Sequence, residues 1–289
     1  LKQYVPKERI RFVTATALFD GHDASINIMR RLLQSRGAEV IHLGHNRSAL
    51  EIVQAALTED CHGVAISSYQ GGHIEFFKFV RSLLDKAGAP HVKIFGGGGG
   101  VIIPAEIEDL HSSGITRIYS PLDGQILGLD GIIGHMLWSC DVPLGEWADA
   151  SELAVARALS LLESEQLSAE NAAIKLKLPK RAHAPPVLGI TGTGGSGKSS
   201  LTDELLIRFL IDNPKLKICV LCVDPSKKKG GGALLGDRIR INAASDSRVF
   251  LRSMATRGSG HEISAATTEA VALFKRGPFD FIIVETSGI

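Results

Sequence analysis

The chain has 289 residues, 44% of them hydrophobic and 22% charged, the profile of a soluble globular protein long enough for two compact domains. Thirty-two basic against 31 acidic residues leave no net field to draw nucleic acid or an anionic membrane, and no stretch reaches the apolar length of a membrane span. The opening LKQYVPKERI lacks the apolar core of a signal peptide, and the four cysteines are too few and scattered for a disulfide framework, so a cytoplasmic protein is expected.

The first part alternates β-rich runs with helical patterns. RFVTATA (11–17) precedes a helix near 24–36 that stops at Gly37, and EVIHL (39–43) precedes a helix from the N-cap Ser48 to about Glu59. GVAIS (63–67) leads to a helix of about 73–87, VKIFG (92–96) to one at 104–113, and TRIYS (116–120) to one at 124–138. Five such repeats over residues 1–148 predict an α/β, flavodoxin-like (Rossmann-like) domain, a five-stranded parallel sheet in the order 2-1-3-4-5. Residues 149–186 read as a helical linker, because SELAVARALSLLESEQL (151–167) has helical spacing and PKRAHAPP (179–186) breaks any helix. From 187 to 289 a second α/β pattern follows: VLGIT, a helix, KICVLCVD, a basic glycine-rich stretch, VFLRS, a helix and FDFIIVET.

Cys219 and Cys222 form a C-x-x-C pair inside that second strand. Residues three apart on a strand point to opposite faces, so the pair cannot share a metal, and two packed core thiols are expected.

In a sheet of order 2-1-3-4-5 a ligand sits beyond the carboxyl ends of strands one and three. Three unusual loops share that edge: LFDGHDAS (18–25), SSYQGGH (67–73) and FGGGGG (95–100). His22 is the candidate metal ligand. Asp20, with Gly21 between them, is placed to accept the other ring N–H, which fixes the tautomer and strengthens the donor. A solvated turn would show the same four residues, DGHD, so the loop by itself leaves both readings open. The glycines let the backbone approach a bulky ligand closely. His73 opens a helix at the same edge, within expected reach of a cofactor, whereas His42 and His45 flank a strand end and read as ordinary surface or core residues.

GTGGSGKS (192–199) fits G-x-x-x-x-G-K-[ST] between a strand and a helix. Backbone amides of Gly194, Gly195, Ser196, Gly197 and Ser200 are expected around phosphate oxygens, with Lys198 on the β- and γ-phosphates and the Ser199 hydroxyl on Mg²⁺. Two later strands end in Asp224 and Glu285, hard oxygen ligands at the same edge. Glu285-Thr286-Ser287-Gly288 occupies the place of a D-x-x-G switch, and Lys198 and Glu285 are the candidate catalytic residues for hydrolysis. The stretch 226–240 reads as a nucleotide-sensing switch bringing Asp237 to Mg²⁺ and Arg240 to phosphate, or as a solvated linker.

D-x-H-x-x-G, then S-x-L, then G-G is the pattern of the base-off, His-on cobalamin domains of methylmalonyl-CoA-type mutases, which residues 10–140 resemble. The resemblance implies that His22 replaces the cofactor's own base on cobalt, with Asp20, Ser67 and the pair Gly97 and Gly98 in the family's other positions. Ser25 stands where the family has glycine, and Tyr69 where it has leucine. The segments GTGGSGKSS, VDPS (223–226), GGALLGDRIR (231–240) and VETSGI (284–289) are similar to the MeaB/ArgK-type G-proteins, which chaperone cobalamin mutases. That similarity implies GTP, although the chain has no N-K-x-D to read guanine.

The two together resemble the family of fused isobutyryl-CoA mutases. This implies adenosylcobalamin, GTP and Mg²⁺ as cofactors, a homodimer, and a carbon-skeleton rearrangement of an acyl-CoA held by a barrel downstream of these residues. Residues 187–289 would then be the N-terminal part of the G domain. A free-standing cobalamin-handling GTPase and a cobalamin sensor are the alternatives.

Overall fold

The computed structural model describes residues 4–144, 151–224, 232–235, 237–256 and 266–288. In chain order the elements are β1 (Arg11–Ala17), α1 (Ala24–Ser35), β2 (Glu39–Arg47), α2 (Ala49–Thr58), β3 (Gly63–Ser67), α3 (His73–Lys86), β4 (Lys93–Gly97), α4 (Pro104–Ser112), β5 (Arg117–Tyr119) and α5 (Pro121–Cys140). Then come α6 (Glu152–Glu163), α7 (Ala169–Lys175), β6 (Val187–Ile190), α8 (Lys198–Asp212), β7 (Ile218–Asp224), β8 (Ala233–Leu235), β9 (Val249–Ala255), α9 (Thr267–Arg276) and β10 (Phe281–Glu285). The chain divides into two compact units. The first holds 1–56, 61–145 and 229–234, and the second holds 57–60, 146–228 and 235–289.

In the first unit the strands run β5-β4-β3-β1-β2, the expected 2-1-3-4-5 order, and β8 adds a short strand beyond β2. The β1–β5 pairings are all parallel. Such a sheet is covered on both faces, so its strands are continuous apolar runs, and every residue of β1 and β3 is buried. On one face Phe12, Val40 and Phe95 pack with Ile26 and Leu33 of α1 and Ile133 and Leu137 of α5. Helix α2 begins as expected at Ser48, whose hydroxyl accepts the Glu51 amide while Glu51 accepts the Ser48 amide. Helix α5 starts earlier than expected, because Ser120 caps it and Pro121 fits its first turn; the helix is interrupted at Gly128 (φ 65°). The short β8 was not anticipated, since three residues inside a glycine-rich stretch give no strand periodicity.

In the second unit β6-β10-β7-β9 form a wholly parallel sheet. Leu206 and Leu210 of α8 pack on Val220, Cys222, Leu251 and Ile283. The opposite face buries Cys219, Leu221, Phe250 and Ile282 against α9 and, unexpectedly for a linker, against α6 and α7. Alanine and leucine at helical spacing explain the helices. Their burial (Ala156, Ala158 and Leu159 at 0% exposure) is a tertiary fact. Cys219 and Cys222 therefore lie on opposite faces, each in a different core, as the strand period requires. The same face of the unit buries Arg252, whose guanidinium meets Glu163 at 2.8 Å.

Candidate functional site

The first site lies at the carboxyl edge of the first sheet. Asp20 ends the turn after β1 and is 2% exposed. Its Oδ1 accepts the His22 amide at 2.9 Å and lies 2.8 Å from His22 Nδ1, while Oδ2 accepts the Tyr69 amide from the loop after β3. Burial pushes the Asp20 carboxyl up, but the two amides and the His22 ring outweigh it and hold it below its ordinary value. The His22 side chain is 78% exposed. With Nδ1 committed to Asp20, Nε2 is the ring atom offered to a metal, as a ligating histidine requires. The Asp20–His22 amide bond is that of an ordinary Asx turn, whereas the Tyr69 amide, 49 residues away, ties the carboxylate to the loop after β3.

Around this pair the edge is open and glycine-rich. A Cβ on Gly98 would stand 2.0 Å from the Ser68 carbonyl oxygen, so the strand-four loop can lie this close to the strand-three loop only as glycine. Gly97 ends β4 beside Ser67, its register partner, and a Cβ there would meet nothing closer than 3.5 Å. Gly21 likewise has open space around it. Next to the edge a cavity of about 260 Å³ is lined by Ile26, Met29, Phe95, Ile132 and Met136, with Ser25, Ser67 and Tyr69 also on its wall. The departures from the family pattern both fall here: the Ser25 hydroxyl is 3.1 Å from that of Ser67, and the Tyr69 ring lies 5.6 Å from the His22 ring.

His73, expected within reach of a cofactor, is instead buried with both ring nitrogens engaged, by the Gln70 carbonyl and the Glu106 carboxylate. His42 is half-buried against Thr14 at 2.9 Å, and burial lowers its pKa to about 4, which keeps it neutral. His45 is exposed.

The second site is the turn between β6 and α8. Gly197 takes φ 87° and turns the chain into α8, which Lys198 opens. Lys198 Nζ folds back onto the carbonyl oxygens of Gly192 (2.9 Å) and Thr193 (3.0 Å). Gly194, Gly195, Ser196 and Ser200 are exposed around it. Ser199 Oγ donates to Glu285 Oε1 at 2.6 Å, and Thr202 Oγ1 donates to Oε2 at 2.7 Å. Thr202 was missed in the sequence; its place one helical turn after Ser199 is the signal that could have found it. Asp224 ends β7 and is 9% exposed, two residues beyond the register partner of Glu285. Gly288 packs so closely on the loop that a Cβ would lie 2.7 Å from the Gly194 amide nitrogen and 3.1 Å from Lys198 Nζ. Arg240 is exposed on a short 3-10 turn, Asp237–Arg240. The Asp237 side chain and residues 226–231 and 236 of the expected switch, 226–240, lie outside the described residues.

Residues 155–289 match the family described as methylmalonyl-CoA mutase-associated GTPase MeaB, and residues 10–118 match the B12 binding domain. Fused isobutyryl-CoA mutase from Geobacillus kaustophilus is 56% identical over 99% of this chain and 28% of its own length. The protein of the same name from Cupriavidus metallidurans is 54% identical over 98% of this chain and 27% of its own. The chain thus spans little more than a quarter of these curated relatives. A crystallised cobalamin-binding protein from Desulfitobacterium hafniense aligns at TM-score 0.38 and 20% identity, covering 46% of this chain and 60% of its own. Residues 10–118 are therefore similar to B12 binding domains and residues 155–289 to the MeaB GTPase family, and over nearly its whole length the chain is similar to fused isobutyryl-CoA mutases.

Proposed function

We propose that this chain is the cofactor- and nucleotide-handling part of an adenosylcobalamin-dependent acyl-CoA mutase that interconverts isobutyryl-CoA and n-butyryl-CoA. The single observation that carries the reading is the exposed His22 imidazole oriented by a buried, multiply bonded Asp20. Adenosylcobalamin supplies, when bound, the radical chemistry that such a rearrangement needs. The protein's part would be to present His22 Nε2 to cobalt, to hold its tautomer through Asp20, and to leave room for the cofactor at Gly21, Gly97 and Gly98. The neighbouring cavity, apolar with the Ser25 and Ser67 hydroxyls on its wall, suits the cofactor's displaced aromatic base.

In the second unit Lys198 and the amides of Gly194, Gly195, Ser196, Gly197 and Ser200 would bind the phosphates of GTP. Ser199, Asp224, Glu285 and Asp237 would surround Mg²⁺, and Arg240 would face phosphate. Lys198 and Glu285 are the residues we assign to hydrolysis. Close packing of Gly288 on Gly194 and Lys198 supports a γ-phosphate contact at that amide. Nucleotide state would gate cofactor loading by favouring one arrangement of the switch over another. The domain limits read from the sequence are 1–148, 149–186 and 187–289; because α6 and α7 pack into its core, we place the middle segment with the second unit.

The acyl-CoA would bind a barrel domain outside these residues, in a homodimer, and light scattering of the full-length protein tests that assembly. Four buried free thiols suit a reducing cytoplasm, and among the described residues no helix is long and apolar enough to cross a membrane.

The test is the absorption and electron-paramagnetic spectrum of the chain with cobalamin. The parent should show the base displaced and a protein nitrogen on cobalt, and His22→Ala should lose that nitrogen; an unchanged spectrum rejects the assignment. For the second site, Lys198→Ala should weaken GTP binding by roughly tenfold or more, the cost of a lost charged contact, and unaltered affinity rejects the phosphate reading.

A further inference from the structure

His73, the first residue of α3, joins two loops of the ligand edge. Its Nδ1 lies 3.1 Å from the Gln70 carbonyl oxygen in the loop after β3. Its Nε2 lies 3.0 Å from Glu106 Oε2, and the same oxygen accepts the Ile103 amide at 3.0 Å, where the loop after β4 enters α4. A carbonyl oxygen can only accept, so Nδ1 carries a proton. The contact between Nε2 and the carboxylate then needs a second proton. The Ile103 amide and His73 together hold Glu106 below the usual carboxylate range.

The stretch that His73 closes has little else to fix it. A Cβ on Gly71 or Gly72 would meet nothing within 4 Å, and Gly72 takes φ 81°, so packing does not restrain those two residues. Hydrogen bonds do. The Tyr69 amide donates to Asp20, the Gln70 side-chain amide donates to the Leu18 carbonyl, and the Gln70 carbonyl meets His73. An unbroken series therefore runs from the exposed His22 ring through Asp20, Tyr69, Gln70, His73 and Glu106 to Ile103.

We infer that His73 is a positioning residue for His22: held between Gln70 and Glu106, it fixes the loop after β3 so that the Tyr69 amide stays on Asp20 and Asp20 on the His22 ring. The functional importance of this rests on His22 being the cobalt ligand, but the clamp itself is readable without cobalamin. His73→Phe keeps an aromatic ring, slightly larger, and removes both bonds. Glu106→Ala removes one partner at a partly exposed position. Because one oxygen makes both contacts, Glu106→Gln places there either an oxygen, which keeps the Ile103 contact, or an NH2, which keeps the His73 contact, so it should fall between the parent and Glu106→Ala.

The experiment is amide hydrogen exchange at Tyr69 in the 289-residue chain without cofactor, paired with cobalamin titration. His73→Phe and Glu106→Ala should speed Tyr69 exchange by roughly tenfold, a local loosening well short of unfolding, while Glu106→Gln falls between them and the parent. Cobalamin affinity should fall by about tenfold in the first two variants, the scale of a lost outer partner of a metal-bound histidine. Tyr69 exchange unchanged in both variants overturns the inference. If His73→Phe does not fold, Glu106→Ala gives the same readout. A parent without protein nitrogen on cobalt would sink the ligand assignment alone, and the exchange result would still judge the clamp.

Discussion

Ser199 Oγ and Glu285 Oε1 lie 2.6 Å apart, joining the start of α8 to the end of β10 across 86 residues of chain. Glu285 is 1% exposed, and its other oxygen is satisfied by Thr202. A carboxylate this deeply buried needs both donors. Ser199→Ala and Thr202→Val are each expected to destabilise the second unit by about 1–3 kcal/mol, the cost of leaving a buried acceptor short of a partner. Urea unfolding of each variant checks this, and parental midpoints in both would show that the hydroxyls do not support Glu285.

Asp20 sets an acid limit on the first unit. Its folded-state pKa is depressed, so the stabilisation it gives is complete above the ordinary value of 3.8 and disappears as the pH falls through the lower folded value. Asp20→Asn cannot accept all three N–H groups, and its own amide opposes one of them. Unfolding midpoints compared between about pH 7 and about pH 3 should fall more steeply in the parent than in Asp20→Asn. Parallel slopes would mean that the network contributes no pH-linked stability.

Two glycines two residues apart in the same loop make opposite predictions. At Gly98 a methyl group would press into the Ser68 carbonyl oxygen at 2.0 Å, and at Gly100 it would meet nothing within 4 Å. Gly98→Ala should therefore cost about 1–3 kcal/mol, the range for forced overpacking, and Gly100→Ala should stay within about 0.5 kcal/mol of the parent. Thermal unfolding separates them, and equal effects would contradict the close approach of the two loops.

Cys219 and Cys222 should behave as core residues. Both are fully buried, on opposite faces of β7, and burial pushes the Cys219 thiol well above its usual range. Neither should react with a thiol reagent until the chain is unfolded, and the native protein should bind no zinc through them. Stoichiometric zinc lost in Cys219→Ser would refute this.

Much of this protein was legible in its residues. Apolar runs such as GVAIS and ICVLCVD, spaced by helical patterns, determined two parallel α/β sheets, because a strand covered on both faces must be apolar throughout. The order 2-1-3-4-5 then put His22 and the glycine run on one edge, and GTGGSGKS stood where a strand meets a helix. What the sequence could not decide were contacts between segments far apart in the chain. Nothing local shows that α6 and α7 pack into a core with Phe250 and Phe274, that the Tyr69 amide reaches Asp20, that Thr202 shares Glu285 with Ser199, or that His73 spends both nitrogens on protein groups. Periodicity reports which face of an element is apolar, whereas a hydrogen bond between loops depends on where the whole sheet brings their ends. Only the tertiary structure fixes that distance.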